Sequence, residues 1–230
     1  MRTARTIALV VLIVAVGTTM GFAKAPKSAI TNSAHDLRAS LTGASFTVCN
    51  FCHVAHKPGA TPAGPGPLLW NHTQSSVTTY GVYASDTFNQ LGTDITDLGT
   101  TGGGSGTTAS NLCLSCHDGT IAVDSWYVPV TGSTFAPLPG GTLFMPSDTT
   151  IKDLTKTHPV NFTYNTALAT AAGILSPANT LSVDGAGEIP LFAGKMQCAT
   201  CHDPHNGKSS IFEQNFPTQA SGSFCTYCHL

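Results

Sequence analysis

Charge is scarce in this chain. Lys and Arg number 10 and Asp and Glu 12 in 230 residues, or 10% charged, against roughly 25% in ordinary soluble domains. Without Arg2 and Arg5 at the extreme N-terminus, eight basic residues face twelve acidic ones, a net charge of about −4. There is no basic patch, which excludes a nucleic-acid partner. Long apolar runs are missing as well. The run Ile7 to Val16 is too short to cross a hydrocarbon layer of about 30 Å with ease, so no stable membrane span is expected. Long uninterrupted helical or strand patterns are also rare, because 23 Gly and 14 Pro break the chain. No cysteine lies near Ala23, which excludes a lipoprotein anchor at that point.

What is present begins with an export signal. Arg2 and Arg5 supply a positive start, Ile7 to Val16 an apolar segment, and Gly21-Phe22-Ala23 small residues at a cleavage position. Residues 1–23 are therefore read as a signal peptide, and 24–230 as one mature domain preceded by a flexible arm over 24–34. The destination is secreted, extracellular or at the cell surface, with the periplasm as the alternative.

All eight cysteines fall in four copies of one pentapeptide: Cys49 to His53, Cys113 to His117, Cys198 to His202 and Cys225 to His229. C-x-x-C-H is the attachment pattern of a c-type haem. The two thiols add to the two vinyl groups on one porphyrin edge, and the following imidazole reaches the iron from the same side. Three other readings exist for a C-x-x-C pair. A zinc site needs no histidine after each pair, a redox dithiol would normally occur once, and disulfide spacings carry no fixed following residue. The expectation is four covalently attached haems. Cys49, Cys52, Cys113, Cys116, Cys198, Cys201, Cys225 and Cys228 hold them, and His53, His117, His202 and His229 are the proximal iron ligands.

Four six-coordinate irons need four more ligands, and five histidines remain: His35, His56, His72, His158 and His205. His56 and His205 each follow a proximal histidine by three residues. Neither can easily swing to the opposite face of its own porphyrin, so each is expected on a neighbouring iron. His35 and His158 complete the expected set, and His72 is the spare, with hydrogen bonding to a propionate or the backbone as its role. Met145 and Met196 are read as core residues, since histidines are in surplus. Asp36, Asp118 and Asp203 adjoin histidines and are expected to orient imidazole N–H groups.

Each motif should form a short helical turn. One further helix is expected over Thr166 to Ile174, and short strands over Val160 to Tyr164 and within Ile121 to Val130. With so little aliphatic pattern, the porphyrins themselves should supply the core, and the polypeptide should wrap them in mostly irregular coil. Only Leu230 follows His229, so the fourth haem's distal ligand is expected from earlier in the chain or from another molecule, with His35 a candidate for exchange.

Ala34-His35-Asp36-Leu37, Cys49 to His56, Leu69-Trp70-Asn71, Cys113 to Thr120, His158-Pro159-Val160, Cys198 to His205 and Cys225 to His229 occur in that order. In these phrases the chain resembles the tetrahaem subunits of the OmcE type, within the small secreted multihaem cytochromes of metal-respiring bacteria. The resemblance implies a multihaem cytochrome c fold with a continuous stack of bis-histidine haems. It also implies head-to-tail polymerisation into an extracellular filament, one iron taking a histidine from the adjoining subunit. Redox partner cytochromes or extracellular electron acceptors would be the other partners. The expected function is electron transfer without catalysis. The alternatives are a soluble periplasmic tetrahaem carrier and a multihaem reductase, which would need an iron with an exchangeable axial site; the histidine count leaves none.

Overall fold

The computed structural model describes residues 30–40, 47–53, 60–61, 64–65, 69–75, 77–90, 95, 98, 108–126, 141–147, 150–176, 182–183, 187–205 and 225–230. The signal peptide, residues 24–29 of the expected arm, and His56 lie outside them. Residues 30–34 form hydrogen-bonded turns, with Ser33 N–H donating to the Ile30 carbonyl at 2.9 Å and Asp36 N–H to Ser33 at 3.0 Å. Ile30 is buried. Of the arm expected over 24–34, residues 30–34 thus lie in turns with Ile30 buried.

Regular structure is short. The helices are α1 (Asp86–Gln90), α2 (Ala109–His117), α3 (Thr166–Ala172) and α4 (Cys198–Cys201). Helix α2 starts where the Thr108 hydroxyl accepts from Asn111 N–H and ends at Asp118. Helix α3 starts at an Asn165 cap and stops at Gly173, whose φ of 67° favours glycine; the expected extension to Ile174 is cut there. Strands among the described residues are two-residue ladders. Phe162–Thr163 pairs antiparallel with Lys195–Met196, and Gly81–Val82 pairs parallel with Asp153–Leu154. The strand expected within Ile121 to Val130 is instead a series of turns over 121–125, with a single bridge from Trp126 to His72. Residues 127–130 lie outside the described set.

Among the described residues the buried apolar side chains form three small clusters, two of them linked through Ile95, where one contiguous core is usual. Phe162, Tyr164, Leu168, Ile189 and Met196 make the first, and Cys228 packs against it. Phe51 and Trp126 make the second, with Cys52 and Leu37 alongside. Tyr80, Leu98, Leu114 and Leu154 make the third. Burying a side chain such as Phe51 contributes about 2–3 kcal/mol. Each cluster thus backs one cysteine pair, so the apolar interior is divided according to the motifs it supports.

Candidate metal centre

All four pentapeptides close the same local turn. The N–H of the motif histidine bonds the carbonyl of the first cysteine at 2.9 Å for His53, 3.0 Å for His202 and 2.8 Å for His229, and His117 ends helix α2. The turn brings both thiols and the imidazole to one side of the backbone. Each turn is then fixed to a distant segment. Asn71 N–H donates to the Cys52 carbonyl at 2.9 Å, Ile151 N–H to His117 at 2.6 Å, and Ser176 N–H to Cys228 at 2.8 Å. At the third motif, Cys198 N–H donates to the Ser110 hydroxyl at 3.2 Å, which ties α4 to α2.

The motif histidines face non-motif histidines. His117 and His35 have ring centroids 6.1 Å apart, His53 and His205 6.2 Å, and His229 and His158 6.3 Å. A metal-bound imidazole nitrogen lies about 2 Å from the ion and the ring centre about 1 Å behind it, so two imidazoles on opposite sides of one ion have centroids about 6 Å apart. Packed rings reach similar separations. What distinguishes these three is that each joins one motif histidine to one non-motif histidine, with no residue used twice. The pairing of His35 with His117, and of His158 with His229, is within one chain. In this chain His35 thus stands beside the second motif and His158 beside the fourth. His202 is the remaining motif histidine; the expected ligand His56 lies outside the described residues.

The second ring nitrogen sorts ligands from bystanders. His158 Nδ1 lies 2.9 Å from the Pro159 carbonyl, and His205 Nδ1 lies 3.1 Å from Asp203 Oδ1. An N–H donated there leaves the lone pair on Nε2, the arrangement seen in metal-bound imidazoles. His72 differs. It is 2% exposed, with Nδ1 2.8 Å from the Thr73 carbonyl and Nε2 2.9 Å from that of Ala122. Both nitrogens lie against backbone carbonyls, to one of which a neutral imidazole donates its N–H. Asp118 is buried and accepts from the Ser75 and Tyr80 hydroxyls and from Thr120, while Asp36 pairs with Arg38. Of the three aspartates expected to orient imidazoles, only Asp203 is hydrogen-bonded to one among the described residues.

All eight cysteines are free thiols. Burial pushes Cys52 up to about 11, Cys116 to about 12, Cys201 to about 12 and Cys228 to about 11. Thiols held so high are poor redox nucleophiles. Cys113 and Cys198 share a hydrogen bond that holds the proton on Cys113, raising that thiol and drawing Cys198 down to about 7. No group of three or more His, Cys, Asp or Glu converges on a point among the described residues. Burial lowers the pKa of His35, His117, His202 and His229, which keeps these imidazoles neutral, the state a metal requires.

These residues fit a c-type haem. Paired thiols sit beside an imidazole, and a second imidazole stands at the separation that one intervening iron dictates. Trp70 adds a sign that its sequence position does not carry. Its ring stands edge-on to His53 at 5.9 Å, and its buried Nε1–H meets no acceptor among the described residues, as a donor awaiting a haem carboxylate would. No protein-family model matches the chain, and no curated protein matches it.

The depressed histidines set a pH dependence. Their folded pKa values lie below 6.5, so below that pH the unfolded chain binds protons the folded chain refuses. Stability is full above about 6.5 and falls as the solution is acidified. Were iron held by these imidazoles, proton competition would act in the same direction, and low-spin character would be lost first at the exposed His229. Optical titration with parallel urea melts measures both effects; a stability unchanged by acidification contradicts the argument.

Proposed function

We propose that the chain is an electron-transfer protein that carries four covalently attached, bis-histidine c-type haems. The observation that supports this most is that three of the four motif histidines each stand about 6 Å from a different non-motif histidine. A c-type haem supplies a one-electron iron couple whose potential is set by its axial ligands. The chain's own part is to hold and orient. Each cysteine pair anchors a porphyrin edge, each motif histidine supplies a neutral imidazole, and His35, His56, His158 and His205 fill the opposite positions. Neither face is then left for a substrate, so the protein is a carrier or conduit rather than a reductase.

Neighbouring sites are close. Helix α4 is tied to α2 through the Cys198 N–H and the Ser110 hydroxyl at 3.2 Å, so the second and third haem edges would adjoin. The fourth site is the one that faces outward, with His158, Cys225 and His229 exposed. Exchange with a redox partner, or with a second copy in an extracellular filament, takes place there. If all eight axial positions are filled from one chain, such a filament would be held by surface contacts; if His35 is exchanged between copies, by coordination.

Pyridine haemochrome assay of the mature protein should give about four haems per chain, and the ferric spectrum should be wholly low-spin. Adding carbon monoxide to the reduced form should change nothing. Two haems or fewer would refute the motif argument, and a high-spin fraction would restore the reductase.

A further inference from the structure

We propose that His72 is a positioning residue, a buried spacer that fixes the first haem site against the second; this rests on the tetrahaem reading above. The segment Leu69 to Ser75 runs between the two motifs and bonds to both. Toward the first, Trp70 bridges His53 and Asn71 N–H donates to the Cys52 carbonyl at 2.9 Å. Toward the second, Thr73 N–H donates to the Ser125 carbonyl at 3.0 Å, His72 bridges Trp126, and the Ser75 hydroxyl donates to Asp118, which follows His117.

The imidazole of His72 lies at the centre of this strut. Its Nε2 is 2.9 Å from the carbonyl of Ala122, fifty residues away, and 3.4 Å from Cys116 Sγ. A ring nitrogen within reach of both ties the segment to the loop after the second motif and to the sulfur that joins the second porphyrin. Below it, Phe51 of the first motif packs on Trp126, with centroids 6.0 Å apart and both rings buried. The ring is therefore wedged where a change in size or in N–H capacity alters the spacing of the two motifs. Electron tunnelling falls steeply with edge-to-edge distance, so that spacing is functional. His72 is buried with both nitrogens turned to backbone carbonyls, so neither is presented to an iron. A mere filler would be apolar, since a buried imidazole must be matched with partners.

The test compares His72→Leu with His72→Gln in the mature holoprotein, reading haem count, spin state, the individual potentials, and the magnetic coupling between haems. Both variants should keep four low-spin haems. In His72→Leu one potential should move and one inter-haem coupling should weaken. In His72→Gln, whose amide N–H can still reach the Ala122 carbonyl, both should stay at wild-type values. A high-spin haem in either variant makes His72 a ligand and overturns the proposal. Unchanged potentials and coupling in His72→Leu overturn it as well. Should His72→Leu fail to mature, His72→Gln decides alone: wild-type values uphold the spacer and displaced values reject it. The wild-type protein run alongside separates the two readings, because fewer than four haems there defeats the tetrahaem reading itself, whatever the variants show.

Discussion

Alanine at both Cys113 and Cys116 is expected to abolish the folded holoprotein, not merely subtract one haem from it. The second site is the hub of the molecule. Helix α2 carries both cysteines and buries Ser110, Asn111, Leu112, Leu114 and Ser115, with Leu114 in the cluster of Tyr80, Leu98 and Leu154. Its N-terminal turn holds the third motif through Ser110, which donates its N–H to Gln197 at 3.1 Å and accepts from Cys198 at 3.2 Å. Its C-terminal end holds the strut of Leu69 to Ser75 through Asp118. On the tetrahaem reading the porphyrin is part of this interior, and without it the cluster around Leu114 loses a packing partner in a domain whose whole stability is about 5–15 kcal/mol. The matched change at the exposed fourth site, Cys225→Ala with Cys228→Ala, opens its gap toward solvent and should leave a folded protein with three haems. Yield of mature protein and haemochrome count decide. A stable, natively folded three-haem protein from the Cys113/Cys116 variant would show that the hub argument is wrong.

The contrast between these variants follows the line between what the sequence reveals and what it hides. Covalent haem attachment demands contiguous residues, so the cysteine pairs and His53, His117, His202 and His229 are legible at once. The helical turn at each motif is equally local. Distal ligation is not, because an imidazole reaches an iron across the fold. The short interval from His202 to His205 indicates that His205 cannot serve its own porphyrin, but only the tertiary structure pairs it with His53. Nothing in sequence separates His72, between Asn71 and Thr73, from His158, between Thr157 and Pro159. They part company because Ala122, fifty residues on, engages the second nitrogen of His72, whereas His158 is engaged at Nδ1 by its neighbour Pro159. The strands were legible only as apolar alternation, which predicts neither their two-residue length nor that Phe162 pairs with Met196. On the tetrahaem reading the small clusters have the same cause: the pattern of aliphatic residues would be written around cofactors that carry much of the interior themselves.

Deleting residues 24–36 is expected to turn one haem high-spin, at the second site, with the other three unchanged. His35 lies 6.1 Å from His117 by ring centroid and within the same chain. The local structure holds it there: Ile30 is buried, His35 N–H donates to the Ser33 hydroxyl at 3.2 Å, and Asp36 bonds both Asn32 N–H at 2.8 Å and the Arg38 guanidinium. Burial lowers the His35 pKa, with His117 adding to the effect, so the ring is neutral and competent to bind. The thioether bonds of Cys113 and Cys116 do not depend on the distal ligand, so the haem count should stay at four. His35→Ala should behave like the deletion, and millimolar imidazole should restore the low-spin spectrum by filling the vacated position. The decisive feature is concentration. A ligand from the same chain is present at any dilution, so the wild type should remain low-spin however far it is diluted, and any assembly the protein forms should survive the loss of His35. A ligand borrowed from another molecule would reverse both results: the wild type would gain high-spin haem on dilution, and the deletion would dissolve the assembly. Because the His35 and His117 rings already stand at the separation one iron sets, the self-contained outcome is the one expected.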